Sequence, residues 1–285
     1  MTRLFVALQY LLPHHLLCRV VYRLSRCQTR WFKNLLIRAF MRGYAPEMAD
    51  ALEPEPLKYR SFNAFFTRAL RAGARPADPD AQRIVSPCDG TLSIAATARG
   101  NQLIQAKSHR FTLEALLASD SDWAARLSGG LYATLYLAPY NYHRVHMPMA
   151  GRLSAAWHVP GRLFSVNGGT VACVPRLFAR NERVICAFES EHGPFVVVLV
   201  GALFVGSMST VWHGQITPSR ARSGPRRLEP GAGADLRQAR GAELGMFNMG
   251  STVIVLLPPG RARWDDTLQP GARVRVGQGM GALAT

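Results

Sequence analysis

The strongest constraint in the sequence is an apolar run that begins directly after a glycine and a serine. Gly250 and Ser251 precede residues 252–257, a β-branched and aliphatic run that ends at Pro258 and Pro259. Such a run between turn-forming residues is typical of a buried strand, and it predicts a core sheet around it. The strand would hold Ser251 rigidly, whereas glycine leaves the preceding peptide free to bend.

The rest of the pattern predicts an α+β fold, with N-terminal amphipathic helices followed by a β-rich, barrel-like body. Hydrophobic residues make up 48% of the 285 residues, which suits a globular core. Short helices are expected in "FNAFFTRALRA" and "FTLEALLA". Strands are expected in these segments: "IVSPCDGTLSI" (strand, turn, strand), "LYATLYLAP", "VACVPRLFA", "RVICAFES", "FVVVLVGALFVGSM" and "PGARVRVGQGMG". The five cysteines include no CxxC pair, which disfavours a disulfide framework or a zinc site and favours a reducing cytosol.

Positive charge is concentrated at the N-terminus. The net charge is +16, and residues 1–44 hold seven arginines and one lysine, with no acid before Glu47. Apolar residues recur there at helical spacing: Leu16, Leu17, Val20, Val21, Leu24, Trp31, Leu35, Leu36 and Phe40. Helices lying on anionic lipid are the favoured interpretation. A helical hairpin packed on the core, with its arginines in water, is the alternative. No apolar run reaches the roughly 20 residues that span a bilayer.

A second basic segment, residues 218–242, carries six arginines among prolines and glycines. It is expected to be an exposed loop, either a solvated insertion or a second contact with anionic lipid. Nucleic acid would also suit the net charge, but no recognisable nucleic-acid-binding motif accompanies it. A membrane surface is therefore the favoured anionic partner.

Two histidines and an aspartate are the candidates for acid–base chemistry. His143 and His146 lie three residues apart in "YNYHRVHMP", so they would share a face of a helix but point to opposite faces of a strand. This spacing alone is a weak metal signal without a nearby cysteine or acid, and no metal site is predicted. Asp89 in "SPCDG" is by itself a turn residue. It would gain a role by orienting a histidine that activates a serine.

The Gly250–Ser251 peptide permits an unusual reaction. Ser251 lies outside a G-x-S-x-G elbow because Met249 and Val253 replace the two glycines, which disfavours that class of hydrolase. A base could instead activate the serine hydroxyl to attack the carbonyl carbon of Gly250. The resulting ester could eliminate to dehydroalanine, which hydrolyses to a pyruvoyl group. Spacing alone does not select this route.

Four motifs in this order resemble the phosphatidylserine decarboxylase family in its bacterial membrane-associated form: "SPCDG", "YHRVHMP", "HVPGRLFSVN" and "ELGMFNMGSTVI". The resemblance runs from "FNAFFTRALR" to the C-terminus. It implies that Asp89, His146 and Ser251 form a self-cleavage triad. It also implies cleavage between Gly250 and Ser251 into a β chain, 1–250, and an α chain, 251–285. His143 matches the histidine of the decarboxylation step.

The resemblance further implies an enzyme that converts phosphatidylserine to phosphatidylethanolamine and CO₂. The reaction would run through a Schiff base with a covalent pyruvoyl cofactor made from Ser251. Ser165 and Asn167 in "FSVN" match a segment near the substrate pocket.

The implied organisation is a membrane-associating segment, 1–45, and a catalytic domain, 46–285. The enzyme would be peripheral at the cytoplasmic face of the cell membrane, with its two chains associated, a homodimer allowed and no nucleic acid bound. An uncleaved lipid-binding protein and a serine hydrolase remain the alternatives.

Overall fold

A computed structural model of the chain gathers helices at the N-terminus and strands in the rest. It describes residues 2–106, 109–118, 121–204, 207–216, 224–248 and 251–284. The helices are α1 (Thr2–Leu11), α2 (His14–Ser25), α3 (Arg30–Tyr44), α4 (Phe62–Phe66), α5 (Leu113–Leu117), α6 (Ser121–Arg126), α7 (Gly168–Cys173) and α8 (Leu177–Arg180), with a 3₁₀ turn at Pro56–Lys58. The strands are β1 (Arg83–Val85), β2 (Gly90–Thr97), β3 (Gln102–Ala106), β4 (His109–Thr112), β5 (Leu131–Leu137), β6 (Arg144–His146), β7 (Gly151–Val159), β8 (Arg183–Ser190), β9 (Gly193–Gly201), β10 (Met208–Thr210), β11 (Gly214–Ile216), β12 (Arg226–Arg227), β13 (Arg237–Gln238), β14 (Glu243–Phe247), β15 (Ser251–Leu257), β16 (Ala262–Trp264), β17 (Arg273–Val274) and β18 (Gly279–Leu283). The structure confirms the prediction of a helical N-terminus followed by a β-rich body.

A nine-stranded antiparallel sheet surrounds β15. Its strand order is β12-β7-β8-β9-β15-β5-β2-β17, and β13 also pairs with β7. Ser251 faces Leu137 of β5 on one side and Gly201 of β9 on the other. Every residue of β15 is buried, which confirms the predicted core strand. The register on both sides therefore fixes the position of Ser251 in the sheet.

The two faces of this sheet border two separate hydrophobic cores. Val253 and Val255 belong to the core shared with the smaller sheets, β11-β10-β14-β6 and β1-β18-β16. Ile254 and Leu256 belong to the core shared with helices α5 to α8. Successive strand residues point to opposite faces, so a strand buried on both faces must be apolar throughout. This requirement explains the unbroken apolar run after Ser251.

Two details of the sheets refine the prediction. The word barrel-like describes the body only loosely, because the sheets that the structure describes do not close. The main sheet instead ends at the two-residue strands β12 and β17, which are too short to pair further. The "IVSPCDGTLSI" segment does form two strands, but they are not paired with each other. β1 pairs with β18 and β2 pairs with β5, so Asp89 lies in a connection between two sheets.

The segment "VACVPRLFA" is helical rather than the expected strand. Asn167 caps α7 by accepting a hydrogen bond from the N–H of Thr170 at 2.9 Å. Gln105 then donates to the carbonyl of Val174 at 2.8 Å and accepts from the N–H of Leu177 at 2.7 Å. A short apolar run does not by itself distinguish a strand from a buried helix. Here the hydrogen bonds from Asn167 and Gln105, which lie outside the run, favour the helical conformation.

The basic segment 218–242 is more ordered than expected where the structure describes it. Its residues 218–223 lie outside the described residues. Beyond them, β12 and β13 both pair with β7, with Arg227 facing Trp157 and Arg237 facing Arg152. The segment therefore forms part of the sheet edge rather than a free loop.

The N-terminal helices pack on the body but leave apolar surface exposed. Ile37 of α3 is fully buried among the phenylalanines of α4. Gln9 of α1 is buried and accepts a hydrogen bond from the N–H of Ser165 at 2.7 Å. By contrast, Leu11 is 82% exposed and Trp31 is 70% exposed. Packing on the body thus accounts for one side of the helices, and contact of the exposed apolar side with lipid remains a prediction.

Large exposed apolar side chains are numerous on these three helices: Leu4, Phe5, Leu8, Leu11, Leu16, Val20, Leu24, Trp31 and Leu35. None of the helices described is, by itself, long and apolar enough to cross a membrane. Leu4–Leu11 and His14–Ser25 meet the length and composition criterion only together, across a bend of 87°. An exposed apolar surface of this kind marks a region of contact with another molecule or a membrane.

Candidate active site

The segments that carry the candidate residues lie next to one another at one end of the main sheet. The N–H of Phe247, four residues before Ser251, donates to the carbonyl oxygen of His143 at 3.0 Å. The N–H of His146 donates to the carbonyl oxygen of Pro87 at 2.7 Å. These contacts join the histidine segment both to the strand before the serine and to the "SPCDG" segment.

The strand register brings Asp89 and Ser251 to the same end of the sheet. Thr91 of β2 faces Tyr136 of β5, which in turn faces Thr252 of β15. Thr91, Tyr136 and Thr252 thus form one row across three strands. Asp89 lies two residues before Thr91, and Ser251 lies one residue before Thr252. With about 4.8 Å between neighbouring strands, their backbones lie roughly 10 Å apart.

Ser251 has a buried and unpartnered hydroxyl group. The residue is fully buried, and its Oγ makes no hydrogen bond within the described part of the chain. Buried polar atoms without a partner are uncommon because each one loses its hydrogen bonds to water. Gly250, the other half of the predicted cleavage site, lies outside the described residues, as does Met249. The serine hydroxyl thus has no competing hydrogen bond to the described residues, at the start of a strand paired on both sides.

His143 is a buried neutral imidazole with one free nitrogen. Its ring packs against Phe66 with centroids 4.1 Å apart, and its Nδ1 lies 2.8 Å from the carbonyl oxygen of Asn141. A carbonyl only accepts, so Nδ1 carries the proton. Burial, assisted by the positive charge of Arg68, lowers the pKa of His143 to about 3. Nε2 is therefore an unprotonated base, and it has no partner among the described residues.

His146 is also neutral, but both of its nitrogens are engaged. Nδ1 donates to the carbonyl oxygen of Gly241 at 2.8 Å, and Nε2 accepts from the hydroxyl of Tyr142 at 3.1 Å. Burial lowers the pKa of His146 below its ordinary value. Tyr142 must release Nε2 before this imidazole can take a proton from another group.

Asp89 is paired with an arginine rather than with a histidine. Its carboxylate accepts from Arg75 Nη2 at 2.7 Å and Nε at 3.0 Å, and from the N–H of Val276 at 2.9 Å. Arg75 also donates to Asp50 at 2.7 Å. Asp89, His146 and Ser251 are therefore not hydrogen-bonded to each other among the described residues.

Ser165 and Asn167 lie beside an apolar cavity. The cavity measures about 450 Å³ and includes Val166 and Gly168 on one side and Thr252 on another. The two polar side chains are occupied locally, because Ser165 Oγ accepts from Asn167 Nδ2 at 3.0 Å while the Asn167 oxygen caps α7. They shape the cavity edge in this structure.

Two residues beside the site were not singled out by the sequence. Tyr142 stood within the histidine motif, but its spacing to His146 gave no sign of a hydrogen bond. Arg75 lies 14 residues before Asp89 in the segment between α4 and β1, where no local pattern distinguishes it. Within the described ranges, no group of three or more His, Cys, Asp or Glu side chains could hold a metal ion.

Taken together, the fold and the site define an α+β protein with an unpartnered buried serine near two neutral histidines, beside an exposed apolar helical surface. A sequence profile described as "Phosphatidylserine decarboxylase" matches residues 62–282, and a second, described as "PSD", matches residues 4–45.

Curated proteins named "Phosphatidylserine decarboxylase proenzyme" match nearly the whole chain. The one from Azotobacter vinelandii is 50% identical over 279 residues, covering 98% of each chain. The one from Methylococcus capsulatus is 49% identical over 280 residues, covering 98% of this chain and 96% of the relative. The one from Stutzerimonas stutzeri is 47% identical, covering 99% and 95%. The chain belongs to the phosphatidylserine decarboxylase family.

The neutral state of His143 predicts a pH-dependent stability. Its pKa is lower in the folded chain than in the unfolded chain, so the unfolded chain binds more protons as the pH falls below about 6.5. The free energy of unfolding should then decrease by up to about 1.4 kcal/mol per pH unit. Urea unfolding at pH 7.5, 6.5 and 5.5 measures this slope. His143→Phe keeps a ring against Phe66 and should have a flatter profile; parallel profiles for the two proteins would contradict the assignment.

Proposed function

We propose that the protein is a phosphatidylserine decarboxylase that activates itself by cleaving its own chain between Gly250 and Ser251. The observation that carries the proposal is the unpartnered Ser251 hydroxyl at the start of the central strand, in a chain whose relatives are named proenzymes. A buried serine with no structural contact is available as a nucleophile. Two neutral imidazoles at the same end of the sheet supply candidate bases.

In the proposed cleavage, the Tyr142 hydroxyl first gives up its hydrogen bond to His146 Nε2. This nitrogen then takes the hydroxyl proton of Ser251. The Ser251 oxygen attacks the carbonyl carbon of Gly250, and the C–N bond breaks as the ester forms. Removal of the Ser251 α-proton then expels the Gly250 carboxylate and leaves dehydroalanine. Water replaces its nitrogen, which departs as ammonia. Asp89 is proposed to act on His146 by its negative charge, with Arg75 holding the carboxylate in place.

A pyruvoyl group at position 251 fits the surroundings of the serine. The residue is fully buried and its oxygen has no hydrogen bond to lose on conversion. Such a carbonyl combines with a primary amine and accepts the electron pair released with CO₂. The free Nε2 of His143 supports a role in moving a proton to the substrate carbon, because Nδ1 is held by the Asn141 carbonyl.

The proposed substrate is phosphatidylserine, drawn from the surface on which the N-terminal helices lie. The exposed apolar side chains of α1 to α3 and the arginines between them support peripheral binding to the anionic cytoplasmic face of a membrane. Ser165 and Asn167 remain candidates for substrate contact. Their sequence neighbours Val166 and Gly168 line the apolar cavity, and the backbone of Ser165 is bonded to α1. This position supports a contact with a substrate that enters the cavity.

Substitution of the serine should abolish both cleavage and activity. Ser251→Ala lacks the nucleophile and should remain one full-length chain on a denaturing gel, with no CO₂ release from phosphatidylserine. Thr252→Val is the matched control, because the Thr252 hydroxyl is also buried and unpartnered. It should split normally. If the Ser251→Ala chain were still cleaved, the cleavage site would have to lie at another peptide bond.

The two histidines should separate cleavage from decarboxylation. His146→Ala should remain a single chain because the proposed base is absent. His143→Ala should split, but its decarboxylation rate should fall by about 10²–10⁴-fold, as expected for loss of an acid–base group. Gel analysis and CO₂ release measure the two steps. If His143→Ala fails to split while His146→Ala splits, the roles of the two imidazoles are reversed.

Exposed leucines on α1 should carry part of the membrane affinity. Leu8 is 53% exposed and Leu11 is 82% exposed, so Leu8→Asp and Leu11→Asp should each weaken binding to anionic vesicles by about tenfold. Vesicle sedimentation measures the affinity. Leu52→Asp is the control, because Leu52 is 66% exposed but lies outside the three helices. Equal effects of all three substitutions would contradict a membrane-binding role for α1.

A further inference from the structure

A second cavity near the candidate site contains a buried arginine that lacks an anionic partner. The cavity measures about 200 Å³, and Arg68 and Asp89 line it together. Arg68 is 3% exposed. Its Nη2 donates to the carbonyl oxygen of Tyr140 at 3.2 Å, while Nε and Nη1 have no partner among the described residues. A buried guanidinium with two unpartnered nitrogens is unfavourable unless an anion joins it.

The charges around this cavity leave Arg68 uncompensated. Four arginines and two carboxylates line it: Arg68, Arg75, Arg273, Arg275, Asp89 and Glu47. Arg75 is paired with Asp89 at 2.7 Å, and Arg275 is paired with Glu47 at 3.3 Å. Arg68 inside the cavity and Arg273 at its exposed rim form no ion pair in the part of the chain that the structure describes. The lining side chains therefore carry an excess of two positive charges, and Asp50, the second partner of Arg75, offsets one of them.

The cavity adjoins the candidate reaction site on two sides. Thr91 lines both this cavity and the apolar cavity of about 450 Å³ that contains Thr252. The cationic and the apolar cavity thus share Thr91 of β2, and the apolar cavity extends to Thr252, the residue after Ser251. Arg68 is also close enough to His143 for its charge to lower the pKa of that imidazole. A ligand with an anionic and an apolar part would occupy both cavities.

We propose that Arg68 binds the phosphodiester group of the phospholipid substrate; this inference rests on the proposed function. Nε and Nη1 lie on opposite edges of the planar guanidinium, and Nη2 gives one hydrogen to Tyr140. The other hydrogen of Nη2 and the free nitrogen on the same edge together form a paired donor for two phosphate oxygens, the geometry for which arginine is suited. The substrate carboxylate is the less suitable partner. Decarboxylation removes its charge, so a cation held against it would stabilise the reactant more than the transition state.

A binding measurement tests the site without requiring catalysis. Glycerophosphoethanolamine carries the phosphodiester but no carboxylate, whereas L-serine carries the carboxylate but no phosphate. Calorimetry on the full-length Ser251→Ala chain should detect glycerophosphoethanolamine, and adding Arg68→Gln should weaken that binding by about 10- to 100-fold. Arg60→Gln is the matched control because Arg60 is exposed and should have no effect. Equal affinities with and without Arg68, or no binding to either chain, overturn the proposal. A loss of affinity for L-serine alone would assign the carboxylate instead and also overturns it.

Kinetics of the processed enzyme distinguish a substrate contact from a structural role. A group that binds the phosphate equally in reactant and transition state affects KM rather than kcat. Arg68→Gln should therefore raise KM by about 10- to 100-fold with kcat changed by only a few-fold. Arg68→Lys keeps the charge for folding and should show an intermediate KM. An unchanged KM with reduced chain cleavage would mean that Arg68 acts on Asp89, and would overturn the proposal.

The proposed function and the proposed site can fail separately. If the unmodified protein released no CO₂ from phosphatidylserine, the proposed function would be refuted, and the calorimetric binding result alone would decide whether Arg68 binds the phosphodiester.

Discussion

The pairing of β15 on both sides is the constraint on which the rest of the structure depends. All seven of its residues pair with β5 and the first six also pair with β9, both in continuous register, and every residue is buried. The strand therefore holds Ser251 in a fixed position without a hydrogen bond from the serine side chain to any described residue. Proposed cleavage at this residue would leave the strand pairing intact. The shorter chain would also keep β18 between β1 and β16 and β17 against β2. Both halves would stay joined by sheet hydrogen bonds and shared cores.

The same end of the sheet joins the chemistry to the N-terminal helices. Gln9 of α1 bonds to the backbone of Ser165, beside the apolar cavity that reaches Thr252. The other cavity includes Ala45 and Glu47, directly after α3. A lipid taken from a membrane under these helices would therefore meet the apolar and cationic cavities without crossing the body of the protein. The N-terminal helices thus contact the segments beside both cavities, and their exposed apolar side is free for the proposed membrane binding.

The sequence predicted the central strand and the N-terminal helices because both depend on local hydrophobic periodicity. It did not predict that "VACVPRLFA" is helical, because Gln105 and Asn167 decide this from outside the segment. The motif resemblance identified the segments that meet at the site, but spacing gave no information about their contacts. Arg75 holds Asp89 and Tyr142 holds His146 Nε2 through pairings that depend on tertiary packing. The assignment of the triad thus remains a prediction, because its members are not hydrogen-bonded to each other among the described residues.

Denaturing intact-mass spectrometry of the purified protein tests the central claim most directly. The account predicts two chains, of which the larger ends at Gly250 and the smaller begins at position 251. The smaller chain should be lighter than the corresponding serine-started peptide by one ammonia, as conversion of Ser251 to a pyruvoyl group requires. A single full-length mass in a preparation that releases CO₂ from phosphatidylserine would contradict the account. A smaller chain that retains an unmodified serine would contradict it equally.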